Sequence, residues 1–493
     1  MNEGSANVGG VSATGIAAAL AGFSTLALLA RLRKAGVKSG RTEVTDFSVP
    51  ENVAKLKDRL GITLDSKAYV DLLRQFISEA VHVQNYPPEL IPQEDRIVAH
   101  ILETLGPYTE EKGGPLKIEV VTYEPGRGNV IITYPGTDTQ APNIGLIGSH
   151  LDVVPAYAEA WERDPFKLSV EGDKLYGRGT TDCLGHVALL TCFFRELGIK
   201  KPALKSGVVA VFIASEESID KPGVGIDGLV EHGKLENLKS GVCLWIDASD
   251  SEPCMGTAGA IPWHLKAVGK RFHSGFPHKT VNPIELVSEA LAYIQKRFYE
   301  DFPEREEERR YKFATGSSFK PTQIKCADGS FNQIPPHATV SGDIRLTPFY
   351  DASDVVRKVR QYVDELNNEK HASLPTRGPY SKYDVPDLNL TGKLELNIGD
   401  GCLEGIACKI DSKAFHVLCH SLKTVRGFVK PYSICGSLPL VREMQESGFD
   451  LQITGFGLSS VYHAENEYCK LSDMENACKI VSLFVSGMDE MLN

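Results

Sequence analysis

Apolar and polar residues follow two different periods between residue 68 and residue 247. Residues 68–79 and 94–105 carry apolar side chains at helical spacing, and three prolines between them separate two predicted helices. Residues 116–134 indicate two strands around a Pro-Gly turn. From there to residue 247, short apolar runs typical of buried strands alternate with helical stretches. This alternation predicts an α/β fold with a mostly parallel central sheet.

The pattern changes at Gly259, where a second type of fold is predicted. Residues 261–268 alternate as a half-exposed strand does, residues 284–298 and 352–366 have helical spacing, and two strands lie between these helices. The order strand, helix, strand, strand, helix is that of a small α+β domain of ferredoxin-like type. Residues 367–384 are polar and contain two prolines, which indicates a linker, and strand and helix patterns resume after it.

Length, charge and cysteine usage narrow the class of protein. A chain of 493 residues is too long for one hydrophobic core, so at least two domains are expected. Its net charge of -11 disfavours nucleic acid and anionic membranes as partners of the whole surface. The eleven cysteines include no Cys-x-x-Cys pair, which predicts reduced thiols in a reducing compartment such as the cytoplasm.

The first 45 residues differ from the rest of the chain. Residues 6–30 carry no charge and are followed by the basic sequence Arg31-Leu-Arg33-Lys34. The stretch is long enough for a bilayer-spanning helix of about 20 residues, but it lacks the positive N-terminal region of a secretory signal. An organellar (plastid or mitochondrial) targeting sequence, a signal anchor and a disordered leader therefore all stay open, and membrane contact is expected only for an anchor.

Residues that can bind a metal recur where the apolar runs end. The candidates are His150, Asp152, Asp182, Glu216, Glu217, Asp247 and His463. Ligands of open α/β sheets bind at the carboxyl ends of the strands, so these side chains are expected to converge. Zinc prefers imidazole nitrogen and carboxylate oxygen, and catalytic zinc sites keep one position open. Two histidines and several carboxylates predict a zinc site, and they favour one that holds two ions.

Each of these residues also has a plainer interpretation. A single histidine at a strand end is often structural, Asp182 can cap the helix that follows it, and Glu216 and Glu217 can lie on a solvated strand end. Taken together, the residues are not explained as solvated surface. The strands before them are wholly apolar, so their ends are expected near the centre of the sheet.

Six segments together identify a family resemblance. They are His150-Leu-Asp152, Gly177-Arg-Gly-Thr-Thr-Asp182, Glu216-Glu217, Asp247, Gly269-Lys-Arg-Phe-His273-Ser-Gly275 and His463. From about residue 72 to the C-terminus the chain resembles the acetylornithine deacetylase and succinyl-diaminopimelate desuccinylase family, which also includes aminoacylases, carnosinase-like dipeptidases and a glutamate carboxypeptidase. The segments that begin at Thr180, Phe212 and Ser341 most resemble the eukaryotic, plant-type acetylornithine deacetylases.

The resemblance implies a role for each candidate ligand. His150 and Asp247 would hold one Zn2+ ion, Glu217 and His463 would hold the other, and Asp182 would bridge them, with Co2+ as a possible substitute. Asp152 would orient His150 through the ring N–H of that histidine. Glu216 would be the general base, because a carboxylate that moves protons cannot also be a metal ligand.

The resemblance also implies roles for residues of the second domain. His273 would reach across a dimer interface and donate a hydrogen bond to the oxyanion of the tetrahedral intermediate. Arg345 and Asn332 would bind the α-carboxylate of the substrate, which suits the two-pronged donor geometry of arginine. His278 and Lys279 are weaker candidates. The plainer interpretations are a surface histidine, a strand-end arginine and a turn asparagine.

Three positions depart from the family pattern. Cys183-Leu-Gly-His186 stands where many members have Met-Lys-Gly after the bridging aspartate. Cys183 is either a packing residue or a soft competitor for metal, and His186 falls on the same helix face as Asp182, where it could support a ligand. Asp247 stands where the bacterial deacetylases have glutamate, which requires a small backbone shift toward the metal.

We therefore expect an inserted domain within a catalytic domain, because His463 must return to the beginning of the fold to join the site. The expected divisions are a leader at 1–45, a first catalytic-domain segment at 67–258, an inserted lid and dimerisation domain at 259–370, and a second catalytic-domain segment at 371–493. The resemblance implies a zinc-exopeptidase-like catalytic fold and a homodimer.

The reaction that the resemblance implies is hydrolysis of an N-acyl amino acid. The favoured substrate is N2-acetyl-L-ornithine, which gives L-ornithine and acetate in arginine biosynthesis through a zinc-bound hydroxide, with Glu216 as the base. Two alternatives stay open. One is an aminoacylase or dipeptidase of the same family, because the metal site recognises only the amide and the carboxylate. The other is a metal-binding homologue without catalytic activity.

Overall fold

The structure is a computed structural model that describes residues 49–492, apart from 219–220, 379, 381, 399–401 and 439–440. The predictions for segment 1–45 fall outside the described residues. Among the helices in the described region of the chain, none combines the length and the apolar character that crossing a membrane requires.

The N-terminal half of the described chain, up to residue 257, forms five helices and eight strands. The helices are α1 (Glu51–Ala54), α2 (Ser66–Glu79), α3 (Asp95–Leu105), α4 (Leu184–Lys200) and α5 (Ile226–Glu231). The strands are β1 (Lys117–Thr122), β2 (Gly128–Tyr134), β3 (Ile144–His150), β4 (Ser169–Glu171), β5 (Lys174–Tyr176), β6 (Val208–Ile213), β7 (Val242–Ala248) and β8 (Cys254–Thr257). Helices α2 and α3 confirm the two predicted from helical spacing.

The rest of the described chain adds eleven strands and six helices. The strands are β9 (Gly259–Val268), β10 (Phe272–His273), β11 (Ser318–Cys326), β12 (Gln333–Ile334), β13 (His337–Leu346), β14 (Asp384–Val385), β15 (Leu390–Thr391), β16 (Lys393–Ile398), β17 (Tyr432–Ile434), β18 (Leu451–Gly455) and β19 (Tyr468–Lys470). The helices are α6 (Pro283–Asp301), α7 (Glu306–Arg310), α8 (Ala352–Asn368), α9 (Lys413–Arg426), α10 (Val441–Glu446) and α11 (Leu471–Met491).

The central sheet has eight strands in the order β1-β2-β6-β3-β7-β18-β8-β17. The four middle strands, β6, β3, β7 and β18, run parallel to one another and are buried along their whole length. A strand that is covered on both faces needs apolar residues throughout, which explains the continuous apolar runs of the sequence. The predicted α/β class with a mainly parallel central sheet is confirmed.

The two faces of this sheet contribute to two separate cores. On strand β6, Val208 and Phe212 pack with helices α2, α3, α4 and α11, while Val209 and Val211 pack on the opposite side with α5 and α10. This alternation follows from the two-residue period of side chains along a strand. Because both faces are covered, the carboxyl ends of β3 and β7 are held in fixed positions at one edge of the sheet.

A second sheet has four antiparallel strands in the order β11-β13-β9-β16, and helices α6 and α8 pack against it. Strand β9 is buried at Ile261, Trp263 and Leu265 and more open at the residues between them, as its alternating sequence predicts. The sequence placed the end of this insertion at residue 370. Strand β16 instead pairs with β9, so the small domain also draws on residues 393–398.

Candidate metal centre

Side chains that can bind a metal gather in two adjoining clusters beside the ends of β3 and β7. One contains His150, Asp182, Cys183 and Asp247, and the other contains Asp182, Glu217 and His463. Within each cluster the ligand atoms lie within 4.8 Å of one another. The structure therefore brings together all five residues proposed from the sequence as ligands, and Asp182 belongs to both clusters, as a bridging ligand must.

His150 is the last residue of β3, and its two ring nitrogens have distinct partners. Nδ1 lies 2.9 Å from the carbonyl oxygen of Asp152, which can only accept, so Nδ1 carries the proton. Nε2 faces the carboxylates instead, 3.0 Å from Asp182 Oδ1 and 3.5 Å from Asp247 Oδ1, so a cation that binds there would take the place of the Nε2 proton. The buried environment thus prepares Nε2 of His150 as a metal ligand.

The second cluster is built around the other oxygen of Asp182. His463 Nε2 lies 3.2 Å from Asp182 Oδ2 and 3.3 Å from Glu217 Oε2. Glu217 Oε1 is buried and has no hydrogen-bond partner among the described residues. Buried polar atoms are almost always paired, so an orphaned carboxylate oxygen is consistent with a cation ligand. The donor set of two imidazoles and three carboxylates fits a pair of divalent cations.

The charged groups of this site shift the pKa values of one another. Burial opposes ionisation of Asp182, but its contacts with His150 and His463 outweigh burial and lower its pKa. The hydrogen bonds to Asp182 and Glu217 raise the pKa of His463 to about 10. A metal ion at this imidazole must therefore displace a proton, so metal binding at the second cluster is expected to strengthen as the pH rises.

Glu216 lies beside the clusters but belongs to neither of them. It is buried, and its Oε2 atom lies 3.9 Å from His150 Nε2. Burial, and after it the negative charge of Asp247, raises the pKa of Glu216 well above its ordinary value. Burial and then the charge of Asp182 raise the pKa of Glu217 to about 7. A carboxyl group that has a raised pKa and belongs to neither ligand cluster has the properties of a general base.

Asp152 does more than its family resemblance implies. Its carboxylate is 3.4 Å from His150 Nδ1, farther than its own carbonyl oxygen, so the main chain is the closer partner of that ring. The two carboxylate oxygens accept hydrogen bonds from the backbone N–H groups of Glu216, at 3.1 Å, and Glu217, at 3.0 Å. Asn85 donates to the same carboxylate at 2.8 Å. Asp152 thus holds the glutamate pair in place.

Two buried ion pairs near the ligand loops were not found in the sequence. Arg127 donates two hydrogen bonds to Glu94, at 2.6 and 2.8 Å, and Glu94 also accepts from the backbone N–H of Ser215 at 3.2 Å. Arg178 pairs with Glu467 at 2.6 Å. Charged residues before a helix or in a turn look like solvated surface in a sequence. Only the fold shows that these are buried.

Cys183 and His186 form a contact of their own. Cys183 Sγ lies 3.2 Å from His186 Nδ1, and the backbone N–H of Phe456 donates to His186 Nε2 at 2.8 Å. Because Nε2 accepts this hydrogen bond, Nδ1 carries the proton in the neutral ring and donates to the sulfur. Cys183 is a member of the first metal cluster. His186 is not, but it donates a hydrogen bond to the sulfur of Cys183.

The three candidate site residues of the small domain make their polar contacts away from the metal clusters. His273 is the last residue of β10, and Asn332 lies in the turn just before β12. Both are exposed, and the backbone N–H of Ser274 donates to the Asn332 carbonyl at 2.9 Å. Arg345 lies at the end of β13 and pairs with Asp343 at 2.7 Å. For these three side chains, the polar contacts found among the described residues are with neighbours in the same domain.

The His273 ring has a defined donor. The backbone N–H of Gly275 donates to its Nδ1 at 2.9 Å, so in the neutral ring Nε2 carries the proton. His278 and Lys279 follow on the same loop, with His278 beside the Tyr380 ring and Lys279 over the Phe276 ring. The loop thus presents an N–H donor at an exposed position.

Residues 146–486 match the model of peptidase family M20/M25/M40. The chain belongs to this family. It is 54% identical over 430 residues to an acetylornithine deacetylase of Arabidopsis thaliana, covering 87% of this chain and 97% of that protein, and 50% identical over 438 residues to one of Dictyostelium discoideum, covering 87% and 98%. The expected resemblance to plant-type members is confirmed.

Two solved structures share this fold. Human carnosine dipeptidase 1 matches with a TM-score of 0.60 at 18% identity, covering 86% of this chain and 96% of that one. The metallo-carboxypeptidase Sso-CP2 of Sulfolobus solfataricus matches with a TM-score of 0.61 at 17% identity, covering 86% and 99%. At such identities the likeness concerns the fold alone. The chain is therefore an M20-family hydrolase with an α/β fold that carries additional small sheets.

Proposed function

We propose that this M20-family protein is an acetylornithine deacetylase that hydrolyses N2-acetyl-L-ornithine to L-ornithine and acetate. The observation that carries the proposal is the 54% identity to the deacetylase of Arabidopsis thaliana, which extends over 97% of that protein. The geometry agrees with an amide hydrolase, because a buried carboxyl group that is not a ligand lies next to two clusters of metal ligands.

Two Zn2+ ions are the proposed cofactor. His150 and Asp247 would hold one ion, Glu217 and His463 the other, and Asp182 would contact both. When bound, such a pair of ions polarises the amide carbonyl and activates a water molecule. The same ligands accept Co2+, so zinc is a proposal for the native metal and cobalt a plausible substitute in the laboratory.

Glu216 is the proposed proton carrier. It removes a proton from the attacking water and returns the proton to the amine nitrogen that leaves the scissile bond. Burial raises the pKa of Glu216, which makes its carboxylate a stronger base than an exposed glutamate. Asp152 fixes the backbone of Glu216, so the carboxyl group meets the water from a constant direction.

His273 is proposed to act on the substrate in a second subunit. Its Nε2–H is the free donor of the ring, and in this position it can stabilise the negative oxygen that develops on the amide carbonyl. A neutral donor suffices for this role, so His273 does not need to be protonated. Asn332, the neighbour of His273, and Arg345 are proposed to bind the α-carboxylate of the substrate. Arg345 would exchange its present partner, Asp343, for the substrate carboxylate.

The small domain is the proposed lid and dimer interface. Strand β11 lies at an edge of the small sheet, and seven consecutive residues along it are exposed. Ile324 on this strand is 65% exposed. An edge strand with free N–H and C=O groups and an apolar side chain is suited to pair with a second copy of itself. Sedimentation at several protein concentrations tests this, and a monomer throughout would refute it.

A reducing compartment, the cytoplasm or an organelle, is the proposed location. All eleven cysteines are present in the described residues and none forms a disulfide. Most are buried, where a thiol acts as a small apolar side chain.

The decisive assay is ornithine release from N-acetyl-L-ornithine by zinc-loaded protein, with and without a chelator, beside N-acetylmethionine and a dipeptide. Preference for acetylornithine and loss of activity with chelator would support the proposal and a place in arginine biosynthesis. Preference for one of the other substrates would indicate an aminoacylase or a dipeptidase. Zinc binding without turnover of any of them would indicate an inactive homologue. The presence of Glu216 and His273 argues against that outcome, because an inactive protein would not need them.

A further inference from the structure

Glu467 is a fully buried carboxylate four residues after His463. Its Oε2 atom accepts from Arg178 Nη1 at 2.6 Å and from the backbone N–H of Gly179 at 3.1 Å. Its Oε1 atom accepts from the backbone N–H groups of Thr181, at 2.8 Å, and Asp182, at 3.0 Å. All four donors belong to one short segment that ends in Asp182, the residue shared by the two metal clusters.

The main chain around Glu467 strengthens the same contact. The N–H of Gly177 donates to the Glu467 carbonyl at 3.1 Å, and the Thr181 hydroxyl donates to the Tyr468 carbonyl at 2.9 Å. The two loops, 177–182 and 463–468, are therefore joined by side-chain and main-chain hydrogen bonds together.

The loop that carries His463 needs such support. His463 has φ of 54°, in the left-handed region that a residue with a Cβ atom adopts at a cost. Its side chain is 56% exposed, so packing around the ring does little to hold it. Apart from its contacts with Asp182 and Glu217, the position of the ring therefore depends on how the following residues of the loop are anchored.

We infer that Glu467 is a positioning residue that sets the distance between Asp182 and His463, two ligands of the second cluster. One of its oxygens holds the backbone of Asp182, while its own backbone continues from the loop of His463. Among the described residues, its carboxylate bonds to donors of the segment 178–182, and it acts on Asp182 through the main chain. The inference rests on the proposed metal function of the two clusters, and it concerns their affinity for a divalent cation.

A carboxylate is required at this position. Each oxygen of Glu467 faces two donors. A glutamine has the same shape, but its NH2 group would face two N–H donors whichever way the amide is turned. At least one pair of buried donors would lose its acceptor, which is costly in a dry site. The segment that ends in Asp182 would then shift away from the substituted side chain.

The test compares the zinc affinity of wild-type protein, Glu467→Gln and the control Glu308→Gln. Glu308 is an equally buried carboxylate that accepts from the Thr347 hydroxyl at 2.6 Å and the Arg305 N–H at 2.7 Å, away from the ligand loops. Zinc stoichiometry and dissociation constants are measured by competition with a chromophoric chelator, and the fold of the metal-free proteins is checked by circular dichroism. We expect Glu467→Gln to bind the more weakly held ion about 10- to 100-fold less tightly, and Glu308→Gln to bind both ions as wild type does.

Each result separates this inference from the proposed function. Wild-type protein with two zinc ions and an unchanged Glu467→Gln affinity would overturn the inference alone, as would an equal loss in Glu308→Gln. Wild-type protein that binds no zinc would overturn the proposed metal site itself. If Glu467→Gln does not fold, Glu467→Asp keeps the charge opposite Arg178 but is too short to reach all four donors. A folded Glu467→Asp with wild-type zinc affinity would also overturn the inference.

Discussion

Glu216 and Glu217 are neighbours in the sequence with different surroundings in the fold. Glu217 points a carboxylate oxygen at His463, whereas Glu216 stands beside the metal clusters without joining them. Burial raises the pKa of both groups. The difference in contacts, more than the raised pKa that both groups share, supports the proposed roles of Glu217 in metal binding and of Glu216 in proton transfer.

The two roles predict opposite losses on substitution. Glu216→Gln is expected to keep both zinc ions and to lose about 10²- to 10⁴-fold in kcat, because only proton transfer is removed. Glu217→Gln is expected to lose zinc from the second cluster. Metal analysis and steady-state kinetics on the same preparations distinguish the two variants. Activity near wild type in Glu216→Gln would contradict its role as the base.

His186 makes stability depend on pH. Burial lowers the pKa of His186 from 6.5 to about 4, so the folded protein favours the neutral ring. The stability that this gives is complete above about pH 6.5 and is lost as the pH falls toward 4, by about 3 kcal/mol. Denaturant unfolding of metal-free protein between pH 7 and 4 should show the loss, and His186→Gln should show less of it. Equal pH dependence in the two proteins would contradict the prediction.

At the scale of elements, the turn after β6 is held by groups that are distant in sequence. Asp152, which follows β3, and Glu94, which precedes α3, both accept hydrogen bonds from residues 215–217. Arg127, in the turn between β1 and β2, neutralises Glu94. The glutamate pair is thus placed by a strand end, a helix start and a hairpin turn that meet at one point.

Removing Arg127 should therefore destabilise the fold. Arg127→Met leaves Glu94 buried without its partner, and we expect a loss of about 3 kcal/mol in the free energy of unfolding. The loss lies at the lower end for buried pairs because burial already raises the pKa of Glu94 to about 7, so the carboxyl group can take up a proton. Arg96→Met, which breaks an exposed pair with Glu79, is the matched control and should cost under about 1 kcal/mol. Similar losses in both variants would refute the argument.

The spacing of apolar residues predicted most helices and strands, because an element that is buried on one or two faces carries apolar side chains at a regular period. It located helix α2 within about two residues and placed His150 and Asp247 at the ends of buried strands. It did not assign β16 to the small sheet, since the partner strand β9 is distant in the chain and six residues carry no information on which sheet they join. The spacing of apolar residues also could not identify Glu467. A buried carboxylate is recognised only from the N–H groups that donate to it, and these come together in the folded protein.

At the scale of the whole molecule, the residues proposed to act in catalysis fall into two groups. The proposed metal ligands and Glu216 lie beside the carboxyl ends of the central strands, while His273 is exposed on the small domain among neighbours of that domain. In the proposed homodimer, His273 of one subunit would serve the metal site of the other. A closed two-fold interface makes this exchange reciprocal.

This arrangement predicts that two inactive variants restore one another. In a heterodimer of Glu216→Gln and His273→Ala, one site combines intact Glu216 with intact His273, and the other site lacks both. Random pairing of equal amounts makes half of the dimers mixed, with one working site in two, so we expect about a quarter of wild-type activity. The variants are co-expressed with different affinity tags, and ornithine release is compared with that of each variant alone. If His273 acted within its own subunit, every site in the mixture would lack one of the two groups, and activity would stay at the level of the single variants.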